Sequence, residues 1–147
     1  MHSREFIRRY KSGERNFDGV DIEGVDLRSA ELTKVNLNRA NMEDIRLEGA
    51  NLKDSHLEAA RLYKANLHGA NLENANLQNA DLSAVNLEDA NLQNANLVGA
   101  ILYSANLEDA DLRKANLAGI DLRLTTLQGA SLEGACLEGA RMLDDVR

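Results

Sequence analysis

The amino-acid sequence predicts an all-β solenoid, a coil of very short strands joined by tight corners. Three observations support this prediction. Leucine recurs at nearly every fifth residue, alanine usually stands two residues before it, and glycine or asparagine often stands two residues after it. The pattern is most regular over residues 65–100, which read ANLHGANLENANLQNADLSAVNLEDANLQNANLVGA. We call the central residue of each repeat the centre and number its neighbours −2, −1, +1 and +2.

A period of five residues fits neither a continuous helix nor a continuous strand. On an α-helix, residues five apart advance by about 140°, so the leucines would form no apolar stripe. In a continuous strand, an odd period sends successive leucines to opposite faces. Both problems disappear if each repeat is a three-residue strand followed by a two-residue corner. The centre and position −2 then face the interior, and position −1 faces outward.

The repeat register continues without a slip from residue 15 to residue 144, which gives 26 repeats. Of the centres, 22 are leucine, and the others are Phe17, Ile22, Met42 and Met142. Alanine at −2 suits a narrow interior, and we expect the asparagines and aspartates at −1 to stack and to hydrogen-bond along or into the wall. No insertion is large enough to carry a separate active site.

The corners have a glycine signature of their own. Nine of the ten glycines stand at +2, where three asparagines also occur. A type II turn needs a positive φ at its second central residue, which glycine adopts freely and asparagine tolerates. The bulky +2 residues Lys34, Arg39, Lys64, Lys114 and Leu124 suggest that some corners use another turn type.

Residues 1–14 lie outside the repeat and predict a short helix that covers the first coil. Ser3 is the expected N-cap, and Gly13 stands just beyond the expected end. The apolar face of this helix holds Phe6, Ile7 and Tyr10. The alternative is a membrane-surface helix that uses its basic residues, Arg4, Arg8, Arg9 and Lys11.

The units ANLHG, ANLEN, ANLQN, ADLSA and ANLED resemble the pentapeptide-repeat family, whose consensus is A(D/N)LXX. The resemblance implies a right-handed quadrilateral β-helix with four repeats in each coil. The repeats of residues 15–144 would then form about 6.5 coils, with a capping helix over 1–14 and a tail at 145–147. Some family members mimic DNA and bind type II topoisomerases, and others regulate by protein contact. The DNA mimics are joined as dimers by a C-terminal helix, which the ending LEGARMLDDVR does not provide.

Composition excludes several classes of partner. A formal charge of −7 disfavours binding to nucleic acid or to an anionic membrane, because both need clustered lysine and arginine. The single Cys136 forms no internal disulfide and the first residues are too polar for a secretory signal, so we expect a cytoplasmic location. No apolar run approaches the length of a membrane span.

Catalytic and metal-binding residues are not expected. His2 lies near the terminus and His56 and His68 fall on different faces, so the histidines have no zinc-site geometry. Cys136 has no partner base, and the serines are isolated along the wall. We therefore predict that the chain is not an enzyme and binds no cofactor.

With 20 residues in each coil, residues 20 apart form columns on the wall, and two columns are candidate contact surfaces. One contains His68 and Gln128 together with carboxylates at Glu48, Glu88, Asp89, Glu108 and Asp109. This column is either a phosphate-like surface for a basic protein or a solvated face. The other has apolar residues where polar ones are usual, at Tyr63, Ile101, Tyr103 and Leu124. They form either a protein contact or scattered surface hydrophobic residues.

The C-terminal coil has few residues left to cover it. An open solenoid end presents apolar side chains and unpaired strand edges, which favour end-to-end pairing. We therefore expect self-association through Leu127, Leu132, Leu137, Met142 and Leu143. Taken together, the sequence predicts a non-enzymatic protein-interaction or scaffold rod whose partner is unknown. The alternative is an acidic DNA mimic that binds DNA gyrase or another type II topoisomerase.

Overall fold

The computed structural model describes residues 1–143, which comprise one α-helix followed by a continuous coil of turns and single-residue β-bridges. The helix, α1, spans Ser3–Lys11. No strand longer than one bridging residue occurs in this part of the chain. Asp144, which ends the last predicted repeat, and the predicted tail at 145–147 lie outside the described residues.

Parallel β-bridges join each coil to the next. The −1 residue of a repeat pairs with the −1 residue 20 positions later, from Asn16 and Asn36 to Asp121 and Arg141, except that Ile101 and Asp121 form no bridge. Because 20 residues hold four repeats, each turn of the coil has four sides. The predicted β-helix solenoid is confirmed, although its strands are shorter than the three residues expected.

The interior is filled by the centres and by the small residues at −2. Every centre from Phe17 to Leu122 is at most 3% exposed. Most −2 residues between Val35 and Ala115 are equally buried, because alanine is small enough for residues from four sides to meet near the axis. Burying one leucine contributes about 2 kcal/mol before the entropy of chain ordering is subtracted. Stability is therefore shared among the coils.

The corners use one backbone conformation at almost every position. Each +2 residue from Gly19 to Gly139 has a φ between 56° and 76°, with the exception of Leu124. The N–H of the following −2 residue donates to the carbonyl of the centre, as from Val20 to Phe17 at 3.0 Å, which closes a turn of the type II kind.

Another turn type, suggested for some of the corners with bulky +2 residues, occurs at Leu124 but not at the other four positions. The φ values are 61° at Lys34, 59° at Arg39, 59° at Lys64 and 62° at Lys114. The hydrogen bonds between coils require every corner to follow the same path, which offsets a cost of about 1 kcal/mol for a left-handed non-glycine residue. Leu124 alone avoids positive φ among the corners of the described chain.

The asparagines and aspartates at −1 stabilise their own repeats through a side-chain hydrogen bond, which we call the Asx brace. In every one of them, Oδ1 accepts the N–H of the +1 residue at 2.9–3.3 Å. This geometry is an Asx turn, which holds the strand at the angle needed to enter the corner. Hydrogen bonds between −1 side chains of successive coils occur at only a few positions, such as Asn36 to Asn16. The expected bonding into the wall is therefore confirmed, whereas bonding along the wall occurs in few repeats.

Helix α1 packs over the first coil. The Phe6 side chain is fully buried, and its ring centroid lies 4.3 Å from that of Phe17. The Tyr10 hydroxyl donates to the carbonyl of Thr33 at 2.7 Å. Ile7 is half-buried. The apolar face that a membrane-surface helix would insert into lipid is thus already covered by protein.

The start of α1 differs from the expectation. His2 is the N-cap residue and makes no side-chain capping bond, whereas Ser3 is the first helical residue. The terminal amino group of Met1 donates instead to the carbonyl of Asp21 at 3.2 Å, which ties the start of the chain to the first coil. Within residues 1–143, no helix has the length and apolar character needed to cross a membrane.

The Asx brace predicts a specific effect of substitution at Asn91, whose Oδ1 accepts the N–H of Gln93 at 3.0 Å. Asn91→Ala should lower the free energy of unfolding by about 1 kcal/mol, because a half-buried backbone donor loses its acceptor. Asn91→Asp keeps the oxygen and should retain most of the stability. Urea denaturation followed by circular dichroism measures both.

The matched control is Gln93→Ala, which removes a side chain from the same repeat but keeps the braced N–H. We expect its unfolding free energy to stay within about 0.5 kcal/mol of wild type. Equal losses for Asn91→Ala and Gln93→Ala would contradict the bracing role.

Candidate functional site

The ladder of β-bridges is interrupted once between residues 16 and 141. Bridges join Asn96 to Asn116 and Asn106 to Thr126, but none joins Ile101 to Asp121. In the regular pattern, the backbone N–H groups of Gly99, Leu102 and Asp121 would close the ladder here. Within residues 1–143, none of the three donates to a carbonyl of the facing coil. The wall is therefore open between residues 99–102 and 118–121.

The altered corner at Leu124 lies next to this opening. Ser104 donates its N–H to the carbonyl of Leu124 at 3.0 Å, whereas the regular pattern would use the carbonyl of Arg123. The Thr125 hydroxyl donates to the carbonyl of Leu102 at 2.8 Å. The corner at Leu124 thus takes another path, and the acceptor of the Ser104 N–H shifts by one residue. We attribute the opening to this displaced corner.

The opening is a cleft of about 210 Å³. Its walls are backbone and small or apolar side chains from two successive coils, including Gly99, Ala100, Leu102, Gly119 and Ile120. Ala100 is 7% exposed, whereas the other buried alanines are at most 1% exposed. The cleft therefore reaches the inner layer of the wall.

Exposed large apolar residues lie in the cleft wall and at the adjoining corner. Ile101, 43% exposed, and Tyr103, 50% exposed, line the cleft, and Leu124, 68% exposed, stands at the corner whose carbonyl accepts the N–H of Ser104. We call these three residues and the cleft beside them the cleft face. Tyr63 is also exposed, but it lies two coils, or about 10 Å, from Tyr103. Three of the four predicted contact residues thus come together, and Tyr63 stands apart with the Lys64 ammonium 5.3 Å from its ring centroid.

One edge of the cleft face carries a paired charge. Arg123 donates from Nε to Oδ1 of Asp121 at 2.9 Å and from Nη2 to Oδ2 at 2.8 Å. These bonds, with the Arg123 backbone N–H, hold the pKa of the Asp121 carboxyl below its usual range. The same −1 and +1 pairing joins Asp26 to Arg28, where the Arg28 hydrogen bonds lower the pKa of Asp26 to about 2. Sequence reasoning missed these pairs, although their D-x-R spacing was readable.

The carboxylates in the column that contains His68, here called the acidic column, differ in their hydrogen bonds and ion pairs. Glu48 accepts a hydrogen bond from Asn66 at 3.1 Å and lies 3.9 Å from Arg46, whereas its Oε2 is buried without a partner among the described residues. Within residues 1–143, Glu108 and Asp109 have no ion-pair partner. The unpaired negative charge is therefore concentrated in two coils.

A cluster that sequence reasoning missed lies in this column. His68 Nδ1 is 4.0 Å from Glu88 Oε2, and His68 Nε2 is 4.0 Å from Asp89 Oδ2. One potential ligand atom from each of the three residues lies within 4.8 Å of the other two. The expectation of no metal geometry compared the histidines only with one another. The signal that could have found the cluster was the 20-residue spacing of His68 and Glu88.

The C-terminal coil is partly open. Leu127, Leu132 and Leu137 are half-buried, and Leu143 is 52% exposed. Met142 is only 9% exposed, so its predicted place in the exposed row is wrong. The N–H groups of Leu132 and Leu137 donate to no carbonyl within residues 1–143.

A groove of about 800 Å³ lies at the other end, between α1 and the face formed by residues 26–31. Ile7, Leu27 and Ala30 supply apolar walls, and the edges carry Arg8 and Glu31. Sequence reasoning did not anticipate it, because the width of the gap beside α1 depends on how the helix lies on the first coil.

The repeat and its geometry match known proteins. The family model for pentapeptide repeats matches residues 16–49, 40–79, 80–117 and 105–142. Rfr23, a pentapeptide repeat protein from the cyanobacterium Cyanothece 51142, is 31% identical over 96% of this chain and 100% of its own, with a TM-score of 0.40. No curated protein has a sequence that matches this chain.

Two further solved structures are similar. HetL, a pentapeptide repeat protein involved in heterocyst differentiation regulation in the cyanobacterium Nostoc sp. strain PCC 7120, is 27% identical over 96% of this chain and 94% of its own, with a TM-score of 0.41. Trypsin-treated QnrB1, a plasmid-mediated fluoroquinolone resistance protein, is 19% identical over 86% of this chain and 68% of its own, with a TM-score of 0.51. The likeness to QnrB1 supports the fold alone.

Proposed function

The chain belongs to the pentapeptide-repeat family, and from that membership we propose that it is a non-enzymatic protein-binding rod whose partner docks on the cleft face. The proposed rod is right-handed, has about 6.5 coils and is capped by α1, as the family fold implies. Proteins of this family are in general structural or interaction proteins. A cytoplasmic location is part of the proposal, since Cys136 is a free and exposed thiol.

The observation that carries the proposal is the coincidence of three departures from the repeat at one place. The ladder opens between Ile101 and Asp121, an apolar residue replaces the usual asparagine at Ile101, and the only altered corner of the described chain lies at Leu124. An open ladder, an exposed isoleucine and an altered corner add no stability to a regular β-helix. A binding role explains why the departures occur together.

The chemistry of the cleft face favours an apolar anchor from a protein partner. The cores of protein interfaces are enriched in aromatic and aliphatic residues and depleted in charge. Ile101, Tyr103 and Leu124 supply such a surface, and a cleft of about 210 Å³ has room for one inserted side chain. The backbone N–H groups of Leu102 and Gly99 have no carbonyl partner among residues 1–143, and in the proposed complex they donate to a carbonyl beside that anchor. The charge on the edge is neutralised by the pair of Asp121 and Arg123.

The alternative function is an acidic mimic of DNA that binds gyrase or another type II topoisomerase. Glu88, Asp89, Glu108 and Asp109 favour it, because they stack on two coils without lysine or arginine partners among the described residues. Elsewhere on the rod, some carboxylates pair with arginine, as at Asp26, Glu43, Asp111 and Asp121. A mimic needs an extended acidic strip, so the arginine partners that interrupt the negative surface make this the second candidate. Self-association through the partly open C-terminal coil is compatible with either function.

The first proposal predicts that Ile101→Asn with Tyr103→Ser removes partner binding. Affinity capture from the native cell extract should recover a specific partner with wild-type protein, and its Kd should rise at least tenfold for the variant, since losing a central anchor costs about 2 kcal/mol. Circular dichroism should be unchanged, because both side chains lie outside the core.

Tyr63→Ser is the matched control, because it removes an equally exposed tyrosine two coils away. Its affinity for the captured partner should stay within about threefold of wild type. Recovery of the same partners with the same affinity by all three proteins would contradict docking on the cleft face.

A supercoiling assay separates the two candidate functions. The protein-binding proposal predicts that excess wild-type protein leaves gyrase activity unchanged. The DNA-mimic alternative predicts inhibition that Glu88→Lys with Glu108→Lys abolishes, because the phosphate-like charge is reversed. The charge-matched control is Glu133→Lys with Glu138→Lys, on the last coil, which should still inhibit. Inhibition with this pattern would favour the alternative over the first proposal.

A further inference from the structure

We propose that His68, Glu88 and Asp89 form a binding site for a divalent transition-metal ion of the zinc class on the wall of the rod. The inference is independent of the proposed function, because these residues lie in a different column from the cleft face. It rests on the side-chain geometry, on the rigidity of the backbone beneath, and on the uncompensated charge around His68.

The three side chains already converge. Both ring nitrogens of His68 lie 4.0 Å from a carboxylate oxygen, one from Glu88 and one from Asp89. Two ligands of a tetrahedral zinc ion are about 3.4 Å apart, given metal–ligand distances of about 2.1 Å. Only one of the two ring nitrogens would bind the ion, and the three ligand atoms, now within 4.8 Å of one another, must approach by up to about 1.4 Å. All three side chains are partly exposed, so rotation about side-chain bonds supplies this movement.

The backbone beneath the cluster is fixed. Gly69 donates its N–H to the carbonyl of Glu88 at 2.9 Å, which locks the coil of His68 onto the coil of the carboxylates. The N–H of His68 is held by Oδ1 of Asn66, and that of Glu88 by Oδ1 of Asn86, each at 3.0 Å. An ion would therefore order three side chains without ordering any backbone, which keeps the entropic cost of binding low.

The surrounding charge favours a cation. Glu88 and Asp89 have no lysine or arginine partner within residues 1–143. On the coil before His68, Oε2 of Glu48 is buried and makes no hydrogen bond to a described residue. Carboxylates thus lie in the column on both sides of the imidazole. A bound divalent ion would relieve the repulsion between them.

The donor set selects the class of metal. Calcium and magnesium prefer all-oxygen sites, whereas an imidazole with carboxylates suits zinc, cobalt, nickel or copper. Three protein ligands leave an open position on the solvent side. The next coil provides a comparison within the same chain, because Glu108 and Asp109 repeat the carboxylate pair but follow Glu88 in the column rather than a histidine. We expect no transition-metal binding there.

The test is titration of the full, tag-free chain with Zn²⁺ by calorimetry, and with Co²⁺ by visible absorption. We expect one equivalent of Zn²⁺ to bind to wild type and a Co²⁺ spectrum that shows nitrogen ligation. His68→Gln should weaken binding at least tenfold, and so should Glu88→Gln.

His56→Gln is the matched control, since His56 is also exposed but its column neighbours, Asn36 and Asn76, carry no carboxylate. This variant should bind Zn²⁺ like wild type. Absence of saturable binding to wild type at millimolar Zn²⁺ would overturn the proposal. Binding that survives His68→Gln unchanged would overturn it as well, because the ion would then be held by carboxylates alone.

Discussion

Backbone hydrogen bonds between successive coils are the interaction on which every other feature of this molecule depends. In the regular pattern the centre and the +2 residue donate to carbonyls of the following coil, and the −1 residue donates to the preceding one, as in the bonds of Leu92, Asn94 and Asn91. The pattern repeats on all four sides. A residue that deviated at one corner would break bonds in two neighbouring coils. The hydrogen bonds therefore outweigh the preference of a single residue for negative φ. This is why Lys34 and Lys114 adopt a φ near 60°, a conformation that lysine alone would avoid.

The fold could be predicted because the repeat directly encodes which side chains are buried. Leucine and alanine mark the two inward positions, and glycine marks the corner. The local use of asparagine could not be predicted, since an outward amide is equally able to bond within its repeat or to the next coil. Its short side chain reaches the +1 N–H of its own repeat, as from Asn91 to Gln93, and this closure decides the geometry. Which of the bulky corners departs from the common turn could not be predicted, because the constraints of the ladder are not local properties of the sequence.

The candidate sites were predictable only in part, for the same reason. Ile101, Tyr103 and Leu124 stand out as apolar residues at polar positions. The cleft beside them does not, because it depends on how the altered corner at Leu124 displaces a neighbouring strand. His68 could be placed below Glu88 by counting 20 residues. The approach of its second ring nitrogen to Asp89 depends on side-chain rotamers, which the 20-residue spacing does not determine. In a wall this regular, the candidate binding sites lie where residues depart from the repeat.

Amide hydrogen exchange measured by NMR tests most directly whether the ladder is continuous except for a single opening. The N–H groups of Leu97 and Asn116 donate to the facing coil at 2.9 Å and should exchange only when coils separate. Leu102 is as deeply buried as Leu97, but its N–H and that of Asp121 lack cross-coil acceptors, so both should exchange at least about a hundredfold faster. Equal protection of all four amides would contradict the opening.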